Sequence, residues 1–154
     1  MYGPKKMNTA ANLFGAILLG MTGYVALVVH RVIEFEKGNS LPIYWPYVAA
    51  VCFALLGWHS LGRNAGFGGV RSLSAGLRAM ILGMMASSIM FGLIFIGAQL
   101  VAGFYINPTN TVFDWFRVSF EYFVDTFNLH VWAILLIGAL ISGRLTGLAN
   151  YRWR

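Results

Sequence analysis

Four long apolar runs divide the chain, and short polar segments separate them. The runs cover residues 10–29, 46–61, 77–105 and 129–148. About 20 apolar residues at 1.5 Å each match the ~30 Å hydrocarbon thickness of a bilayer. Solid apolar runs also lack the alternation that is typical of membrane β-barrel strands. The pattern therefore predicts an all-α integral membrane protein with four transmembrane helices, forming a single membrane domain over residues 1–154.

A different pattern occupies residues 111–127, between the third and fourth runs. Phenylalanine recurs there at spacings of three and four, which places the rings on one face of a helix. This Phe stripe consists of Phe113, Phe116, Phe120, Phe123 and Phe127. The charged residues on the other side are Asp114, Arg117, Glu121 and Asp125. We predict an amphipathic helix in the membrane interface or packed on the bundle. The stripe either packs against helices of the same chain or binds lipid or a partner protein.

The fourth run carries small residues four positions apart, at Ala139, Gly143 and Gly147. Small side chains at this spacing allow two helix backbones to approach closely inside a membrane. We therefore predict that these three residues form a helix-packing face.

Composition narrows the class of protein. The chain is 58% apolar and only 10% charged, whereas soluble domains are about one-quarter charged. The net charge of +6 comes from basic residues spread over separate segments, and they do not form the stripe expected of a nucleic-acid surface. The single cysteine, Cys52, allows no intrachain disulfide. No nucleic-acid partner is expected.

The distribution of charge predicts the orientation. With four spans, both termini and the central segment, residues 57–78, lie on one side, with eight Lys and Arg and no acid. The other side has three basic residues and all five acids. Because basic loops stay in the cytoplasm, both termini are predicted to be cytoplasmic. Arg63 and Arg71 of the central segment are weaker candidates for binding anionic lipid headgroups.

Few residues suggest chemistry. His30 and Glu34 are four apart and His130 begins the fourth run at similar depth, so these three are weak candidates for metal ligands. A haem between His30 and His130 is a related alternative. No nucleophile and base converge, so we expect neither catalysis nor a bound cofactor. Gln99 is the one clearly polar residue inside the third run, and it raises the alternative of an oxyanion or small-solute transporter.

Three segments carry a resemblance to a known family. They are the start MNTAANLFGAILL, the central LLGWHSLGRNAGFGG and the ending GALISGRLTGLANYRWR. The chain resembles the TrgA family of small bacterial inner-membrane proteins, which is associated with tellurite resistance. In that family the central segment looks like Arg-Ala-Gly-x-Gly, and here Asn64 stands between Arg63 and Ala65. The resemblance implies a multi-span protein of the cytoplasmic membrane with a link to tellurite or membrane stress, and it assigns no catalytic residue.

These observations lead to one main hypothesis. The chain is expected to be a non-enzymatic inner-membrane protein that acts by binding membrane lipids or a larger respiratory or photosynthetic complex, with tellurite resistance implied by the resemblance. The transporter and the metal- or haem-binding redox protein stay open as alternatives.

Overall fold

The computed structural model describes residues 9–61, 69–103 and 108–152, and these residues form helices joined by short turns with no β-strand among them. Helix α1 is Thr9–Glu36, and α2 is Trp45–Leu56, which continues as a π-helical turn over Gly57–Leu61. Helix α3 is Gly69–Val101, α4 is Pro108–Asp125 and α5 is Leu129–Arg152. The predicted all-α class is therefore confirmed for the described part of the chain.

Three of the helices have the length and apolar character needed to cross a membrane: Ala10–Glu36, Val70–Val101 and Leu129–Ala149. A fourth apolar helix, Trp45–Leu61, is shorter. It returns antiparallel along α1, since Gly15 lies against Gly57, Gly20 against Ala54 and Tyr24 against Tyr47.

Helix α5 runs antiparallel to both α1 and α3. Its Gly138 meets Thr22 of α1, while Gly143 meets Ser72 and Ala139 meets Gly76, both on α3. The bundle therefore consists of α1, α2, α3 and α5, with α4 packed on α3.

Helix α1 extends about two turns beyond the predicted end of its apolar run. The first apolar run ends at residue 29, but nothing in the sequence breaks the helix before Gly38, whose φ of 87° favours glycine. The Asn39 N–H donates to the Glu34 carbonyl at 2.9 Å and the Gly38 N–H to the Phe35 carbonyl at 3.0 Å. This Schellman arrangement ends the helix, so the turn before α2 is shorter than predicted.

The central segment is also more helical than expected from its glycines. The π-helical turn extends α2 to Leu61, and α3 already begins at Gly69; residues 62–68 lie outside the described part. The early start of α3 has a tertiary cause, because the Ser72 hydroxyl donates to the Gly143 carbonyl of α5 and Ala75 and Ala79 are buried. Packing against α5 thus outweighs the local preference of a glycine-rich sequence.

Beside its apolar core, the bundle buries small hydroxyl residues and exposes many large apolar side chains. Small hydroxyl residues are buried inside the bundle, namely Ser72, Ser87, Ser88, Ser142 and Thr146. The hydroxyls of Ser72, Ser87, Ser88 and Thr146 donate to backbone carbonyls, as Ser88 does to Met84 at 3.0 Å. Large aliphatic side chains point outward, including Ile17, Met21 and Ile137, each more than half exposed. This distribution is typical of helices that face lipid.

Candidate interaction face on helix α4

Helix α4 begins at Pro108, a residue that the first turn of a helix accepts because its missing N–H would have no partner there. At about 100° per residue, the side chains that follow fall into three sectors around the helix. The inner sector is Trp115, Val118, Ser119, Tyr122 and Thr126; the second is the Phe stripe; the third contains Asp114, Glu121 and Asp125, with Arg117 between it and the stripe. Each sector has a different environment.

The inner sector fastens α4 to α3. The Trp115 indole N–H donates to the Ile89 carbonyl at 3.2 Å. Ser119 packs so closely on Gly92 that a Cβ at position 92 would overlap it. Val118 and Thr126 are buried as well. Helix α4 is therefore held on one side by contacts with its own chain.

Tyr122 joins α4 to an aromatic junction with one ring from each of four helices. Its ring packs edge to face against Phe91 of α3 and Trp45 of α2, with ring centroids 4.2 Å and 4.9 Å apart. Trp45 stacks on Phe91 at 4.6 Å, and His30 of α1 meets Trp45 at 5.2 Å. Such contacts each contribute about 0.5–1.5 kcal/mol beyond burial. Burial raises the pKa of Tyr122 to about 12, and the nearby Tyr44, Asp125 and Glu121 add to the shift.

Most of the Phe stripe points away from the rest of the chain. Phe113, Phe116 and Phe120 are 72%, 62% and 66% exposed. Phe123 is half-buried and packs against the core, and Phe127, which follows the last residue of α4, packs on Trp132 of α5 with 4.8 Å between the ring centroids. Of the two environments considered for the stripe, contact with the chain's own helices therefore accounts for two rings of five. The other three form an aromatic surface on α4 that the chain leaves uncovered.

The charged sector is mainly acidic, and it is exposed except at Asp114, which is partly buried. Arg117 lies between two carboxylates, at 3.4 Å from Asp114 and 3.7 Å from Glu121. Its side chain is 68% exposed, so each exposed pair adds little to stability. Asp125, one turn beyond Glu121, is exposed too. We call Asp114, Glu121 and Asp125 the acidic edge.

No known protein family, curated protein or solved structure matches this chain. Function is therefore argued from the geometry of the described residues.

The weak metal candidates are not brought together. His30 is fully buried beside Trp45, and neither of its ring nitrogens has a hydrogen-bond partner. Glu34 instead accepts hydrogen bonds from Lys37 at 2.5 Å and Asn39 at 2.9 Å. His130 is exposed and lies 3.1 Å from the Asn128 carboxamide oxygen, which also accepts the His130 backbone N–H. Within residues 9–61, 69–103 and 108–152, no three His, Cys, Asp or Glu side chains form a group suited to a metal ion.

The other predicted residues occupy separate places. Arg63 lies outside the described residues, and Arg71 is exposed near the start of α3. On α5, Ala139 and Gly143 lie directly against the α3 backbone, and Gly147 lies beside the Ser72 side chain. Gln99 is half-buried near the end of α3.

Sequence reasoning missed the aromatic junction. Trp45 is 2% exposed at the start of α2, and no periodic pattern in the sequence marks it as buried. The signal for Tyr122 was available in the sequence, since Trp115, Ser119, Tyr122 and Thr126 recur at spacings of four, three and four. The more conspicuous phenylalanines drew attention to a different face of the same helix.

Proposed function

We propose that this chain is a non-enzymatic protein of the bacterial cytoplasmic membrane, and that it acts by binding lipid or a larger membrane complex through the outer face of α4. One observation carries the proposal. Phe113, Phe116 and Phe120 of α4 are each more than 60% exposed, while the opposite sector of the same helix is packed on α3. Contiguous exposed aromatic surface is typical of interaction sites.

The proposal includes four spans. Helix α2 with its π-helical turn is roughly 25 Å long at 1.5 Å per residue, which a tilted or slightly thinned bilayer accommodates. Its antiparallel course along α1, from Gly57 beside Gly15 to Trp45 beside His30, supports a full crossing. The eight basic residues shared by the termini and the central segment support cytoplasmic ends.

This topology places α4 on the outer side of the membrane, between the third and fourth spans. A reporter that works only in the cytoplasm should therefore be active when it is fused to either end. A reporter that works only outside the cytoplasm should be active when it is inserted after Gly38. A C-terminal reporter that is active outside would exclude the four-span arrangement.

The resemblance to the TrgA family extends the proposal to a phenotype. Cells that lack the protein should be more sensitive to tellurite, and the wild-type chain should restore growth. In this account the protein supports a membrane assembly and does not itself reduce tellurite.

The binding surface is tested by gentle solubilisation of native membranes followed by isolation of the full chain. We expect the wild-type protein to remain with lipid or with a larger assembly, and the Phe116→Ser/Phe120→Ser variant to lose most of that association while it stays folded. Phe35→Ser is the matched control, because Phe35 is 75% exposed on α1. If the double variant and the control keep the same association, α4 is excluded as the binding surface.

A further inference from the structure

We propose that the partner of α4 is a protein segment with an apolar helix face and with Lys or Arg side chains, which docks along the Phe stripe and the acidic edge together. This inference rests on the proposed function and names its class of partner.

Charge on α4 is the first observation. The acidic edge carries three carboxylates, and Arg117, the one basic residue of the helix, already lies between Asp114 and Glu121. Asp125 is exposed beyond that pair. The outer surface of α4 therefore presents net negative charge beside exposed aromatic rings.

A lipid surface alone does not account for this arrangement. Helices that lie on bilayers usually carry Lys and Arg on their polar face, where each contributes about 1 kcal/mol of attraction to anionic headgroups. On α4 the corresponding positions are acidic, so anionic headgroups would repel them. A basic, amphipathic protein segment can contact both sectors. Its Lys or Arg side chains are attracted to the acidic edge, which steers and orients the partner, and its apolar face packs on the rings of the Phe stripe.

The attachment of α4 favours docking of a helix. Trp115, Ser119 and Tyr122 fix the inner sector to α3 and to the aromatic junction. The stripe is thereby held outward before a partner arrives, which lowers the entropic cost of binding. An amphipathic helix laid along such a surface would use side chains at helical spacing.

The first test uses the purified full chain in nanodiscs of zwitterionic phosphatidylcholine. The probes are two amphipathic peptides with the same leucine face, one with lysine and one with glutamine on the polar face, and binding to empty nanodiscs is subtracted. We expect the lysine peptide to bind about tenfold more tightly than the glutamine peptide, and added salt to reduce that preference. Equal binding of both peptides would overturn the inference.

Two variants separate the contributions of the acidic edge and the Phe stripe to peptide binding. Glu121→Gln/Asp125→Asn should remove most of the preference for lysine and leave the weaker binding of the glutamine peptide unchanged. The Phe116→Ser/Phe120→Ser variant should bind both peptides more weakly. A lysine preference that persists in the Glu121→Gln/Asp125→Asn variant would exclude the acidic edge as its source.

The second test uses native membranes, with a photo-crosslinking amino acid at Phe120 and, as a reference, at Ile137 of α5, which is 59% exposed. We expect position 120 to crosslink to a protein segment whose mapped sequence contains Lys or Arg beside apolar residues, and position 137 to crosslink to lipid. Lipid adducts alone at position 120, or a mapped segment without basic residues, would overturn the inference and leave the proposed binding through α4 intact. If the Phe116→Ser/Phe120→Ser variant also keeps its full association with lipid or a larger assembly after gentle solubilisation, the proposed function fails as well.

Discussion

The seam between α3 and α5 and the outer face of α4 are built from opposite kinds of residue. At the seam, Ser72 and Gly76 meet Ala139 and Gly143 so closely that backbone touches backbone. On α4, the Phe stripe carries three large rings that the chain does not cover, those of Phe113, Phe116 and Phe120. Both surfaces have helical spacing, yet the seam is closed against its own chain and most of the stripe is not. At these two places, small side chains allow helices of the same chain to meet, and large exposed rings leave a surface open to another molecule.

The largest expected effect is that of removing a buried ring. Phe91→Ala should lower the free energy of unfolding by about 3–5 kcal/mol, because Phe91 is fully buried in the aromatic junction. Phe116→Ala should change it by less than about 0.5 kcal/mol, as is usual for an exposed position. Denaturant titration of the purified protein in detergent measures both. Similar losses in the two variants would contradict the division between junction and stripe.

A smaller effect should follow from adding one methyl group to the seam. In Gly143→Ala the new Cβ would lie 2.7 Å from the Ser72 carbonyl oxygen, and overpacking of this kind costs about 1–3 kcal/mol. Gly97→Ala is the matched control, because no other atom lies within 4 Å of its added Cβ. The control should be neutral or stabilising by up to about 1 kcal/mol. If both variants unfold at the same denaturant concentration, the seam is not tightly packed.

The hydrogen bond across the seam should contribute less. Ser72→Ala removes the donor to the Gly143 carbonyl, and interhelical hydrogen bonds in membranes average about 0.6 kcal/mol. Ser74→Ala removes only a local bond to the Arg71 carbonyl on an exposed surface and should have almost no effect. The difference between the two variants in the same unfolding assay reports the hydrogen bond itself.

The smallest effect is seen in a titration. The raised pKa of Tyr122, about 12, means that the folded protein favours the neutral phenol. The stability linked to this shift is fully present below pH ~10 and is lost as pH rises towards 12. The near-ultraviolet absorbance of the wild type and of the Tyr122→Phe variant is measured as pH rises. The difference between the two should show one phenolate that appears near pH 12. A transition near pH 10 would show that Tyr122 is not buried at the junction.

The sequence was informative where a pattern is repeated along one helix. The Phe spacing placed Phe113, Phe116, Phe120 and Phe123 on one face of α4, although Phe127 follows the last residue of that helix. Solid apolar runs predicted helices long enough for a membrane, and three helices have that length. It was less informative where distant residues meet. Nothing local shows that Trp45 lies between His30 and Phe91, or that Ser72 pairs with Gly143, so the aromatic junction and the early start of α3 required the tertiary structure.

The division of α4 into sectors was predicted only in part. Periodicity separated the phenylalanines from the charges, but the inner sector, with Trp115, Ser119 and Tyr122, was not recognised as the one that contacts α3. A hydrophobic pattern identifies a face without identifying what covers it, because burial by a neighbouring helix and burial in lipid favour the same residues. The Trp115 indole of the inner sector distinguishes the two, since its N–H donates to the Ile89 carbonyl of α3.

The most direct test of the central claim is a spin-label scan of α4 in nanodiscs, with single cysteines introduced into a Cys52→Ser background. Collision with oxygen, which concentrates in lipid, is measured at each position. We predict high collision rates at positions 113, 116 and 120 and low rates at 115, 119 and 122, repeating with the period of a helix. Uniform rates, or maxima at the inner positions, would contradict the outward-facing Phe stripe.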